Sequence, residues 1–176
     1  MLSQFALQER VDQQRQQIDQ QQGFDPFVAM HIERSHLEHL LGDSKTFLDA
    51  VFGDQIQLLG YGLKREGDVL KIDLAWKALR NIERNYKVFA HVFDPQTETI
   101  VAQWDAMPRN NAYPTSRWMA NEVVTETLTI PLTNVLQGNY RIALGLYEAA
   151  GRLPVSGTSE VDAGNQRVIL AEEIRP

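Results

Sequence analysis

The 176-residue chain contains no cysteine. Disulfides, thiolate nucleophiles and zinc-thiolate centres are excluded together, and the redox compartment is left open. Positive charge is also scarce. Seventeen Lys and Arg against 23 Asp and Glu give a net charge of -6 and a pI near 5.2. The cations are scattered instead of gathered on the basic face that a phosphate backbone requires, so nucleic acid is not an expected partner. No run of about 18 apolar residues occurs, so no transmembrane segment is expected in this chain. The start is not a secretory signal either, because positions 2–22 lack an apolar h-region and carry nine glutamines. At roughly 100–150 residues per common domain, the length supports one domain plus an extension.

What is present is organised around residues 70–94, LKIDLAWKALRNIERNYKVFAHVFD. Leu70, Ile72, Leu74 and Trp76 alternate with Lys71, Asp73, Ala75 and Lys77, the period of a strand with one wet face. Residues 86–93 follow as a strand apolar on both sides, with Val88, Ala90 and Val92 against Phe89 and Phe93. The two are expected to pair, and the second to lie centrally under another layer. Further strands are expected at 55–64, 99–105, 121–130, 139–148 and 166–172. Asp94-Pro95-Gln96-Thr97 supplies a turn in which proline pre-sets the backbone angle. Strands at this spacing, with turns and no helices between them, predict a mainly β fold. The expectation is an antiparallel immunoglobulin-like β-sandwich of about seven strands over 54–176, with an N-terminal helical extension over 1–53. Its predicted core holds Leu58, Leu70, Ile72, Leu74, Trp76, Val88, Ala90, Val92, Ile142, Leu144 and Leu146.

The extension reads as three helices. The first, 2–22, carries a thin stripe of Leu7, Val11 and Ile18 interrupted by Gln14 and Gln21, which allows at most weak self-association or contact with a protein partner. Asp25-Pro26 starts a second helix to about 41, and Asp43 or Ser44 starts a short third one through Phe47, Leu48 and Val51 to Gly53. His36 and His39 lie one turn apart, as two helical metal ligands must. His31 points elsewhere and no second ligand cluster follows, so these histidines are read as a solvated face and no metal or other cofactor is expected.

The long stretch 106–120, AMPRNNAYPTSRWMA, has no periodicity, and such loops are either functional or packed by their own side chains. As a plug, Tyr113 and Trp118 close an open edge of the sandwich while Arg117 pairs with a carboxylate such as Asp105. As a binding site, Trp104, Tyr113 and Trp118 offer flat aromatic faces, and Asp105, Asn110, Asn111 and Arg117 offer planar polar groups, the combination that suits a sugar ring. His91 sits between Phe89 and Phe93 and reads as a hydrogen-bonded core residue. Spacing does not place any two of Asp73, Asp94, Asp105, Glu122 and Glu126 as a catalytic pair, so no catalytic residue is assigned.

FGDQIQLLGYGL at 52–63, LAWKAL at 74–79, RNYKVFAHVFD at 84–94, AQWD at 102–105, YPTSRWMANEVV at 113–124 and GNYRIALGLYEAAGRLPV at 138–155 occur in this order. Together they resemble the soluble C-terminal β-sandwich of bacterial, Chloroflexi-type, phospholipid-carrier-dependent membrane glycosyltransferases. Ala120-Asn121 stands where that family has Pro-Gly. In the family the catalytic acidic residues belong to a membrane part that this chain lacks, so the resemblance implies no enzyme activity. It implies an accessory sandwich able to bind glycan or cell-envelope carbohydrate. The alternative is a structural or protein-docking module using the N-terminal helices. The location implied is extracytoplasmic if the chain derives from such a membrane enzyme, and cytoplasmic if it is complete as given.

Overall fold

The computed structural model describes residues 37–39, 41, 45–133, 135, 138–157 and 160–174. The chain divides into two compact units, 1–39 and 40–176. Of the first, residues 37–39 are described, and they are helical with His39 exposed. The glutamine-rich helix, its apolar stripe and most of the second helix lie outside the described residues.

The second unit is an antiparallel β-sandwich. One sheet has the order β6-β3-β2-β1-β9, built from Val123–Pro131, Val69–Ala78, Ile56–Glu66, Lys45–Phe52 and Val155–Gly157. The other has the order β10-β11-β7-β4-β5, built from Val161–Asp162, Arg167–Ile174, Tyr140–Glu148, Lys87–Phe93 and Ile100–Ala106, with β8 (Gly151–Arg152) paired to β7. Successive connections 79–86, 107–122 and 132–139 switch sheets, which places β6 beside β3 and β7 beside β4. Three strands β2, β3 and β6 facing four strands β11, β7, β4 and β5 is immunoglobulin-like order.

Alternation carries the core. In β3 the side chains of Leu70, Ile72, Leu74 and Trp76 point inward, and in β4 those of Val88, Ala90 and Val92 do the same. All eleven predicted core residues are no more than 3 % exposed. Each fully buried Leu, Ile or Val contributes roughly 1.5–3 kcal/mol relative to exposure, so the inward rows of the two sheets dominate the stabilisation.

Two expectations are corrected. The 45–52 stretch is strand β1, not a third helix. Leu48, Ala50 and Phe52 are buried at period two, and β1 pairs with β2 across a turn at 53–55. The apolar residues of so short a run fit a helical period as well, and sheet pairing decides. Nor do the strands at 70–77 and 86–93 pair: β3 bonds to β2 and β6, β4 to β5 and β7, and the link 79–86 crosses from one sheet to the other. Adjacency in sequence therefore became face-to-face packing instead of edge-to-edge pairing. The expected turn at 94–97 is present, with Asp94 Oδ1 accepting the Gln96 amide at 2.8 Å.

Candidate functional site

The 107–122 connection joins β5, the edge of one sheet, to β6, the edge of the other. Its aromatic residues serve this closure. Trp118 is 1 % exposed within the core, and its indole Nε1 donates to the Tyr113 carbonyl at 3.3 Å. That corrects the expectation of Trp118 as a sugar-facing ring, because a covered ring offers no platform. Tyr113 is half-buried against the core, its hydroxyl donating to Glu122 Oε1 at 2.8 Å. Burial, and then the bond to Glu122, raise the phenol above its ordinary pKa. Trp104 is half-buried on the inward face of β5, opposite Ala90. Asn110, Asn111 and Arg117 are exposed, and Asn111 uses its Oδ1 to accept the Met107 amide at 3.1 Å. The expected ion pair between Arg117 and Asp105 is not formed, since Asp105 lies on the opposite face of β5 from Trp104 and accepts the Tyr147 hydroxyl at 2.6 Å. Asn121 adopts a φ of +66°, left-handed backbone in which asparagine substitutes for glycine.

The loop positions and sheet positions are thus separated: the structure brings Trp104, Tyr113 and Trp118 to the closed edge, and sends Asp105 outward. Asp105 belongs to a different cluster, on the outer face of the β10-β11-β7-β4-β5 sheet. There the register sets Gln103 beside His91, Asp105 beside Phe89, and Gly145 on the other side of Phe89, with Tyr147 paired to Arg152. Phe89 is buried although it points away from the core. Its ring lies across Gly145, where any Cβ would collide with it, and the Arg152 guanidinium covers it at 4.5 Å from the centroid. The His91 ring stacks beside it at 4.7 Å. Arg167 repeats the pattern over Phe93 at 4.7 Å while binding Glu98 and Asp162. Such cation-π stacks are individually modest, but together they form a side-chain layer over the outer face of β4, whose inner face packs under the other sheet as expected.

The electrostatics follow from this packing. Burial, and then the positive field of Arg152, depress the His91 pKa, with Asp105 opposing. Tyr147 is pushed up to about 12 by desolvation and by its bond to the Asp105 carboxylate, so it stays a neutral donor. His91 is half-buried by stacking, which corrects its reading as a hydrogen-bonded core residue, and the face presents Gln103, Asp105, Tyr147 and Arg152 as planar polar groups beside aromatic rings. Chemically, the face sets hydrogen-bond donors and acceptors side by side, with the Tyr147 hydroxyl given to Asp105 and Arg152 Nη1 to the Asn165 carbonyl. The sequence signal for this cluster was the phase of Phe89, His91 and Phe93 in β4. What remained hidden was the long-range pairing that brings Gly145, Tyr147 and Arg152 alongside them.

Among the described residues no three His, Asp or Glu side chains converge as a metal site, and no helix is long and apolar enough to cross a membrane. No protein-family model matches the chain, and no curated protein matches it significantly. Among solved structures, chicken MD-1 complexed with lipid IVa aligns over 60 % of this chain and 91 % of its own, at 12 % identity and a TM-score of 0.34. A likeness this distant carries no argument about ligands.

Proposed function

We propose that this chain is a non-catalytic accessory β-sandwich that binds cell-envelope carbohydrate, working alongside a glycosyltransferase-type protein. The outer-sheet face around Tyr147 supports this reading better than the 106–120 loop does. One observation carries it: Tyr147 donates to Asp105 at 2.6 Å, with Gln103 and Arg152 on the same outer face beside the half-buried His91 and Tyr147 rings, while Phe89 beneath Arg152 is itself covered. Sugar recognition needs an aromatic surface for the apolar side of a pyranose and fixed polar groups for its hydroxyls. Fixing them beforehand reduces the ordering cost on binding. In the loop, by contrast, Trp118 is fully used by the core and Tyr113 by Glu122. The resemblance to glycosyltransferase-associated sandwiches favours envelope polysaccharide as the ligand class.

A glycan array probed with the folded full chain tests the proposal. Retention on envelope-type polysaccharides is the expected result. A folded protein that no glycan retains would remove the carbohydrate reading and put the protein-docking module in its place.

A further inference from the structure

Glu126 is a carboxylate placed inside a sandwich. It lies on β6 between Val124 and Leu128, opposite Leu74 of β3, and so shares their inward direction at 7 % exposure. Its Oε1 accepts the Trp76 indole N–H at 2.9 Å and its Oε2 accepts the Arg109 backbone N–H at 2.8 Å. Among the described residues neither oxygen has a counter-ion in contact. The Arg109 guanidinium turns away, donating Nε to the Thr125 carbonyl at 3.0 Å and lying 5.4 Å from the Tyr113 ring centroid.

The segment that Glu126 holds is itself strained. Arg109, Asn110 and Asn111 take φ values of +52°, +52° and +70° in succession. Left-handed backbone is unfavourable for L-residues and is normally visited singly, not three residues in a row. The turn is closed by Asn111 N to Met107 O at 2.8 Å, Ala112 N to Arg109 O at 3.1 Å and Tyr113 N to Pro108 O at 3.2 Å. Opening would relieve the strain and would let water reach Glu126.

We propose that Glu126 makes the 107–113 turn a proton-tightened latch, held most firmly when Glu126 is protonated and opening more readily as it ionises. The direction follows from linkage. Burial raises the Glu126 pKa and outweighs its two hydrogen bonds and the field of Arg109, all of which lower it. In an open turn the carboxyl is hydrated and titrates as an ordinary glutamate. The closed state therefore has the higher proton affinity, and a proton favours it. The other charged groups on the surrounding elements are turned elsewhere: Asp73 of β3 to the Thr127 hydroxyl, Lys71 of β3 to Glu66, Lys77 onto the outward row of β3, Asp105 of β5 to Tyr147, Glu122 to Tyr113 and the Met119 amide, and Arg117 onto the exposed surface. Arg109 is the charged group whose field acts on the carboxyl.

A pH titration of the ¹⁵N-labelled full chain by NMR, with hydrogen exchange at each pH, tests the latch. The Trp76 indole and the Arg109 amide are expected to titrate together, at a midpoint above the free-glutamate value of 4.5. Exchange protection of Asn111, Ala112 and Tyr113, corrected for intrinsic rates, should be greater below that midpoint than above it. Each pH unit by which the midpoint exceeds the free value corresponds to about a tenfold change in the closed-to-open ratio. The β2–β3 amides should not follow. Glu126→Gln should abolish the pH dependence, and if that variant does not fold, the wild-type titration decides alone. Protection that is independent of pH or that falls on acidification overturns the proposal, as does a Trp76 titration that persists in Glu126→Gln.

Discussion

Replacing Trp118 by Ala separates a plug from a platform. The ring is 1 % exposed, belongs to the core cluster, and donates its N–H to the Tyr113 carbonyl at 3.3 Å. That bond is long, so most of the loss should be packing. Removing a fully buried tryptophan costs about 3–5 kcal/mol when the surroundings cannot collapse. Collapse is opposed here because the backbone on either side is pinned: Trp118 N donates to Thr115 O at 2.9 Å, and Ile82 N donates to Trp118 O at 3.2 Å. For a chain of this size each kcal/mol moves the melting temperature by about 2–4 °C, so the expected drop is about 6–20 °C. Differential scanning calorimetry measures it, and calorimetric titration with polysaccharide well below the lowered Tm measures the rest. Binding should be unchanged within about twofold, since less than about 0.4 kcal/mol of ligand contact is removed. A Tm shift below about 2 °C together with lost glycan binding would refute the reasoning and return the site to the loop.

Leu74→Ala, at 1 % exposure on the inward face of β3, should cost about 2–5 kcal/mol in urea unfolding, far above any surface substitution. Gly145→Ala puts a Cβ inside the Phe89 ring. It should destabilise by about 1–3 kcal/mol and disturb the Arg152 stack, seen as a changed Tyr147 environment by NMR. His91 has a folded-state pKa below its ordinary 6.5, so the folded domain binds fewer protons there than the unfolded chain. Stability from this group is therefore fully present above 6.5 and is lost as pH falls through the depressed folded value. Urea unfolding at a series of pH values should show that slope in the wild type and its loss in His91→Gln.

The sandwich was legible because alternation is local. Leu70 to Trp76 and Val88 to Val92 declare their faces within a few residues, and burial agrees for the inward rows, although Ala75 on the face read as wet is buried as well. Partner choice was not legible, since whether the 79–86 link makes a hairpin or a crossover depends on β6 and β7, which lie far along the chain. Residues 45–52 show the same limit, because their apolar spacing fits both periods and the register with β2 selects the strand. At the site, the aromatic content of 106–120 was visible and left both a plug and a platform open, and the burial of Trp118 selects the plug. Glu126 read as one more carboxylate of β6 until its inward phase and its Trp76 partner were seen.

The most direct test of the carbohydrate proposal is calorimetric titration of an envelope polysaccharide into the wild type, Tyr147→Ala and Arg152→Ala. Tyr147 pairs with Arg152 across β7 and β8 and bonds Asp105, so each truncation removes a fixed contact from the proposed face. A central contact of this kind is worth about 1–2 kcal/mol, so each variant should bind about tenfold more weakly while keeping its cooperative unfolding transition. Equal affinity in all three proteins would contradict a carbohydrate site on this face.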